Sequence, residues 1–323
     1  MDLDFNQAWL ATIADHRPEL VTKVFQAITF MGGVEGYLIV IALIFCFISK
    51  RLAVSASIIV LVSMILNHLL KTFIQNPRPF VVDGTYLDYW AVSPMRAAEL
   101  VAEFSTPSGH AMAAAAFYGF LITRAHSTFA RGLLLFAPFL IGISRPILCV
   151  HFFEDIALGW LLGGGIACLA VLKIDALWRR WISLDLIVQA ALTISVSALV
   201  WLATLVLTGR SAPDLPTEFI SVLGFLTGVL LAAPIEHRKV DYEIEQASPV
   251  ISSIRFVLML GLLILVLFAR DAPALIFGEP SGVIETLWRY IGYGLVGAVG
   301  VFVVPWLFVR LKLATSGSST HGS

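Results

Sequence analysis

Long apolar runs, broken at short intervals by polar stretches, dominate this chain. A membrane-crossing helix needs about 20 mostly apolar residues, and runs of that order occur at 24–48, 52–70, 108–125, 131–148, 151–172, 186–207, 218–235, 253–269 and 286–309. About nine transmembrane helices are therefore expected. Residues 5–20 mix Phe5, Trp9, Leu10 and Ile13 with charges, the pattern of a helix lying in the membrane interface. The end of the chain, SGSSTHGS, is polar and expected to be disordered. The organisation predicted is an interfacial segment over 1–23, a transmembrane core over 24–210, additional C-terminal helices over 211–312 and a tail over 313–323.

Composition supports this and removes alternatives. Of 323 residues, 59% are apolar and only 13% charged, with a mean hydropathy of +0.89; a soluble domain carries about 25% charged residues. One globular core cannot hide so much apolar surface, so a soluble enzyme is excluded and the fold class is an all-α polytopic membrane protein. No lysine- and arginine-rich stripe exists, so nucleic acid is not an expected partner. Cys46, Cys149 and Cys168 lie in or beside apolar runs without CxxC spacing, which reads as packing rather than a disulfide frame or zinc site. Asp2 and Asp4 stand where a cleavable signal peptide would be basic, so the first span is expected to act as the targeting signal.

Basic residues give the orientation. Twelve of the 21 lysines and arginines fall on one side of the alternating spans, including Lys50, Arg51, Arg179, Arg180, Arg238 and Lys239. The other side holds nine, three of which are candidate site residues. The positive-inside rule then places the first side in the cytoplasm. Loop 71–107 and the turn near 144–151 share the opposite face.

Those two segments carry the chemistry. The loop opens with Lys71, reaches Arg78-Pro79 and ends Pro107-Ser108-Gly109-His110; the turn holds Ser144-Arg145 and then His151, Glu154 and Asp155. Three cations, two histidines and one carboxylate at one membrane face suit a phosphate group. Arg78 and Arg145 can each grip two oxygens, and Lys71 adds a point charge. Ser108 and Gly109 open a helix, where backbone N–H groups favour an anion. His151 and Asp155, four apart, can share a helix face, the carboxylate fixing the tautomer and leaving the other nitrogen free to attack. His110 would be the second imidazole, protonating the leaving alcohol and then activating water. No carboxylate cluster or HExxH spacing implies a metal, and no cofactor is expected. Glu154 points about 100° away from Asp155 on a helix and is set aside. Gly159 and Gly163 form a GxxxG that implies close helix packing. Asp83, Asp88, Arg96 and Glu103 share the outer loop with Tyr86, Tyr89 and Trp90; the charges could shape a headgroup pocket, but the aromatics read better as interface anchors.

Together, K-x6-R-P, P-S-G-H and S-R-x5-H-x3-D resemble the three-part signature of the type 2 phosphatidic acid phosphatase superfamily. That superfamily includes membrane lipid phosphatases, glucose-6-phosphatases and soluble vanadium haloperoxidases. The signature covers residues 71–155, and the flanking spans extend the likeness to about 24–207. The resemblance implies a six-helix phosphatase core, leaving three C-terminal helices beyond it, and metal-independent hydrolysis. It also implies His151 as nucleophile, Asp155 as its orienter and His110 as acid/base. Lys71, Arg78, Ser108, Gly109 and Arg145 would bind phosphate. The activity expected is hydrolysis of a lipid phosphomonoester or pyrophosphate through a phosphohistidine, with membrane lipids as partners. A glucose-6-phosphatase-like sugar phosphatase, a lipid phosphotransferase, and an idle transporter or scaffold are the competing readings. The membrane expected is a bacterial inner membrane with a periplasmic site, the alternative being endoplasmic reticulum with a luminal site.

Overall fold

A computed structural model of the chain describes residue 5 and residues 7–209, 217–244, 248–277 and 282–317. In chain order its helices are α1 (Ala8–His16), α2 (Glu19–Phe30), α3 (Val34–Phe47), α4 (Lys50–Ile74), α5 (Tyr86–Tyr89), α6 (Pro94–Val101), α7 (Gly109–Ile122), α8 (Thr128–Ile147), α9 (Phe153–Ile182), α10 (Leu186–Thr208), α11 (Thr217–Lys239), α12 (Pro249–Phe277), α13 (Gly282–Ala298) and α14 (Val304–Arg310). Among the described residues, seven helices are long and apolar enough to cross a membrane, α13 and α14 counting as one through a π-helical turn. A bent pair and the short apolar α7 complete nine apolar segments, one for each run in the sequence. The protein is all-α and polytopic, and among the described residues one two-residue strand pair joins β1 (Tyr242–Glu243) to β2 (Thr315–Ser316).

The first run is not one straight helix. Chain 24–48 breaks at Met31-Gly32-Gly33, and α2 meets α3 at 54°. The break has a packing reason: a Cβ on Gly32 would overlap Ile141 of α8 and come within 3.2 Å of the His110 ring.

The chain packs as two compact units. The first comprises residues 1–38 and 62–173, the second 39–61 and 174–323. Each boundary between the units falls inside a helix, α3, α4 or α9.

In the first unit α7 is central. Its fourteen residues include a run of alanines and are buried nearly all round, so it is apolar on every face rather than amphipathic. Helix α9 reaches it through Gly159 and Gly163: a Cβ on Gly159 would lie 2.9 Å from the Ser108 carbonyl, and one on Gly163 would overlap the Met112 carbonyl. The GxxxG packs as expected. Tyr37 of α3 packs edge-on against Phe117 of α7, centroids 5.1 Å apart. A smaller core of Leu10, Phe80, Trp90, Leu100, Leu148, Val150 and Phe152 holds α1, the outer loop and the turn before α9 together. Trp90 is therefore not an interface anchor. It is buried, and its Nε1–H donates to the Pro79 carbonyl at 3.1 Å.

In the second unit α11 and α13 cross backbone to backbone through Gly224, Gly228 and Gly297. Lys50 at the start of α4 pairs with Glu236 (2.9 Å) and Asp241 (3.3 Å). Residues 313–317, read from sequence as the start of a disordered tail, are ordered here. The Leu313 carbonyl accepts from the buried Arg255, and Thr315–Ser316 pair with Tyr242–Glu243. The rest of the tail, 318–323, and residues 1–4 and 6 of the interfacial segment lie outside the described residues.

Candidate active site

Five residues join α8 to α9, and His151 is the fourth of them. Cys149 adopts a left-handed φ of 61°. The turn closes as Cys149 N–H donates to the Pro146 carbonyl (3.0 Å) and Val150 N–H to the Arg145 carbonyl (3.1 Å). His151 thus precedes the helix instead of sharing a helix face with Asp155. Asp155, in the first turn of α9, reaches back to it. Both side chains are buried, whereas Glu154 is exposed.

The hydrogen bonds fix the imidazole's proton. Arg78 Nη1 lies 2.9 Å from His151 Nε2. A guanidinium can only donate, so Nε2 must present its lone pair and Nδ1 must carry the hydrogen. That hydrogen points to Asp155 Oδ2 at 3.1 Å. Arg78 Nη1 also donates to the Val150 carbonyl at 2.9 Å, which ties the cation to the backbone beside the histidine.

Asp155 accepts three further bonds. Ser105 Oγ donates to Oδ2 and Thr106 Oγ1 to Oδ1, each at 2.5 Å, and Phe152 N–H donates to Oδ2 at 3.0 Å. Ser105 also lies 3.2 Å from His151 Nδ1. Asn76 links two motifs, its Nδ2 donating to Thr106 Oγ1 (3.0 Å) and its carbonyl accepting from Ser105 N–H (2.8 Å). Sequence reasoning missed Ser105, Thr106 and Asn76. The only signal was two hydroxyl residues directly before Pro107-Ser108-Gly109-His110.

The expected phosphate ligands lie around this pair. Arg145 rides on the last turn of α8, buried, with Nη1 donating to Thr29 Oγ1 at 2.7 Å. Ser108 caps α7: its Oγ accepts from Ala111 N–H, and its own N–H donates to the Asp155 carbonyl at 3.1 Å. Beneath it Asn67 donates to the Pro107 carbonyl at 3.0 Å, and a Cβ on Gly109 would lie 3.0 Å from the Asn67 amide oxygen. His110, on the first turn of α7, lies within electrostatic reach of Arg145, His151 and Lys71. Lys71 Nζ and Arg78 Nη2 share one carboxylate oxygen, Glu103 Oε2, at 3.3 and 2.9 Å. Glu103 is the carboxylate that pairs directly with these two cations.

Charge sets the protonation states outside the spans. Burial pushes the His151 pKa well below its usual value, and Arg78, Arg145 and Lys71 push the same way. The ring is therefore neutral at ordinary pH. Burial alone would raise Glu103, but Lys71, Arg78 and Arg96 outweigh it and bring its pKa to about 2. Among the described residues no group of three histidine, cysteine or acidic side chains is placed to hold a metal ion.

One last element reaches the turn from far away in sequence. Arg17, after α1, donates to the carbonyls of Ile147 and Tyr89 (3.2 Å for the latter) and to Cys149 Sγ (3.3 Å). Cys149 Sγ in turn donates to the Leu10 carbonyl at 3.4 Å.

Comparison with known proteins places two regions. Residues 52–179 match the PAP2 superfamily, and residues 220–316 match the PAP2 superfamily phosphatase, transmembrane extension. The crystal structure of Aquifex aeolicus LpxE is similar over 54% of this chain and all of its own, at 19% identity and a TM-score of 0.43. Among curated proteins no significant match is found.

Proposed function

Since the chain belongs to the PAP2 superfamily, we propose that this membrane phosphatase hydrolyses a phosphomonoester or pyrophosphate of a lipid through a phosphohistidine on His151. The observation that carries the reading is the pinned imidazole: Arg78 donates to Nε2 while Nδ1–H donates to Asp155. The Nε2 lone pair is thereby held among Lys71, Arg78 and Arg145, where a phosphate would bind and draw the Arg78 donor away from it.

The steps balance without a further reactant than water. Substrate oxygens take the Arg78 donor now on Nε2, and Nε2 attacks phosphorus in line. The P–O ester bond breaks as His110 gives a proton to the leaving oxygen. The ring then carries both Nδ1–H and the phosphoryl group, and Asp155 faces the positive charge. His110, now basic, takes a proton from water, whose oxygen attacks phosphorus; the P–N bond breaks, releasing inorganic phosphate and neutral His151. Ser108 and Gly109 offer the N-terminus of α7 to the phosphate oxygens.

A lipid is favoured because the site lies at the ends of apolar helices, with Phe73 exposed two residues from Lys71. The distribution of basic residues supports a non-cytoplasmic site, periplasmic in a bacterial inner membrane, with a lumen as the alternative. A sugar phosphate or a second lipid as phosphoryl acceptor would use the same residues.

The test is phosphate release from phosphatidate, sphingosine phosphate, a lipid pyrophosphate and glucose 6-phosphate, with and without chelator. Lipid turnover that survives chelation supports the reading, and turnover of the sugar alone replaces it. His151→Ala should abolish release. His110→Ala should still form phosphohistidine from a substrate with an activated leaving group. Full activity in His151→Ala overturns the nucleophile.

A further inference from the structure

The proposed reaction needs Lys71 and Arg78 for phosphate, yet both are engaged by an anion of the protein itself. Glu103 Oε2 lies 2.9 Å from Arg78 Nη2 and 3.3 Å from Lys71 Nζ, the spacing of a phosphate oxygen on the same donors. Its side chain is 20% exposed, against 13% for Lys71 and 2% for Arg78, so it is the outermost of the three. It stands between α6 and Ser105, and one residue, Phe104, separates it from Ser105 and Thr106, the hydroxyls that hold Asp155.

The local charge makes this more than a filler. Lys71, Arg78 and Arg145 oppose Glu103 and Asp155, while Arg96 is matched by Glu99 at 2.6 Å. Lys71 and Arg78 together carry two positive charges, of which Glu103 neutralises one. A phosphate near −2 overfills what is left of that pair while Glu103 stays in place, and matches the pair once Glu103 has moved off it.

We propose that Glu103 is a built-in competitor, a carboxylate that shares Lys71 and Arg78 with the phosphate of substrate and product and thereby keeps inorganic phosphate from lingering in the site. It rests on the reading of this site as a phosphatase. Arriving phosphate displaces one carboxylate oxygen from the two cations, and the carboxylate returns to them as product leaves. The residue costs affinity for substrate and favours turnover, since the last anion in the cycle is released against a waiting replacement.

The experiment compares purified wild type, Glu103→Gln and Glu103→Asp, measuring KM and kcat for one lipid phosphate and the inhibition constant of inorganic phosphate. Glutamine keeps the shape and removes the charge; aspartate keeps the charge and withdraws it by one methylene. In Glu103→Gln the inhibition constant and KM should fall together by about tenfold, the size of one charge-assisted hydrogen bond in a part-buried site, with kcat reduced. Glu103→Asp should fall between. A purely structural residue would alter thermal stability and leave phosphate inhibition unchanged. Wild-type inhibition constants in folded variants overturn the proposal while leaving the phosphatase reading intact. Loss of the fold in both variants assigns Glu103 to structure and also overturns it. Wild type that neither releases phosphate from any ester nor binds it overturns the phosphatase reading itself.

Discussion

Replacing Asp155 by asparagine separates the aspartate's charge from its shape. Asp155 accepts from His151, Ser105, Thr106 and Phe152. Alanine would strand all four buried donors, at about 1–3 kcal/mol each, and is expected to cost the fold. Asparagine can keep its oxygen toward His151, Ser105 and Phe152 and turn its amide to Thr106, whose hydroxyl can rotate to accept. The charge is what disappears. Two unit charges separated by the observed 3.1 Å interact by about 5 kcal/mol at an effective dielectric constant of about 20. Spreading the imidazolium charge over the ring reduces this to about 4 kcal/mol, or roughly a thousandfold in rate. The charge arises only after attack, so kcat should fall by that amount while KM changes little. The tautomer should survive, because Arg78 still faces Nε2. Steady-state phosphate release and acid-labile labelling of the protein would both be followed, with thermal unfolding as the control for folding. A folded Asp155→Asn protein within about tenfold of wild-type kcat would refute the electrostatic role assigned to the carboxylate.

Three other outcomes follow from the site and its packing. His151 must be neutral to attack, and burial together with Arg78, Arg145 and Lys71 holds its pKa well below the usual value; the acid limb of kcat/KM should therefore lie well below pH 6.5, and a limb at or above that pH would place another group in control. The same shift means that the unfolded chain gains a proton on this residue before the folded one does, so the unfolding temperature should drop as pH falls below about 6.5. Gly163→Ala would drive a methyl into the Met112 carbonyl and against Ala115, a backbone contact with no flexible partner; it should lower stability by about 1–3 kcal/mol and reduce kcat, which thermal unfolding and turnover would report together.

What the sequence revealed and what it hid divide along physical lines. Spans were legible because twenty apolar residues in lipid have few other fates, and all nine apolar runs have a helical counterpart among the described residues. Lys71, Arg78, Arg145, His110, His151 and Asp155 stood out because ionisable groups are scarce in such a chain. The bend at Gly32 was hidden, since it depends on what α8 places opposite. Ser105 and Thr106 were hidden for a related reason: their roles come from the donors Asp155 lacks, and a loop serine has no pattern of its own. Glu103 was visible as a loop charge but its pairing was hidden, because the approach of Lys71 and Arg78 from the other end of a thirty-residue loop leaves no local trace. Trp90 looked like an interface aromatic by composition, yet it seals a small core with Leu10 and Leu148, partners drawn from two distant segments.

The clamp by Arg17 has a consequence for biosynthesis. Its partner Cys149 lies 132 residues further along the chain. At a synthesis rate of about 5–20 residues per second, some 7–26 s separate the two at the ribosome. During that interval Leu10, which the finished fold buries against that turn, stays uncovered. The turn that holds His151, when it arrives, docks against a waiting segment instead of folding on its own. Activity should therefore switch on late in membrane insertion, and a protein stalled before its fifth apolar segment would hold most of its cations with nothing to act on.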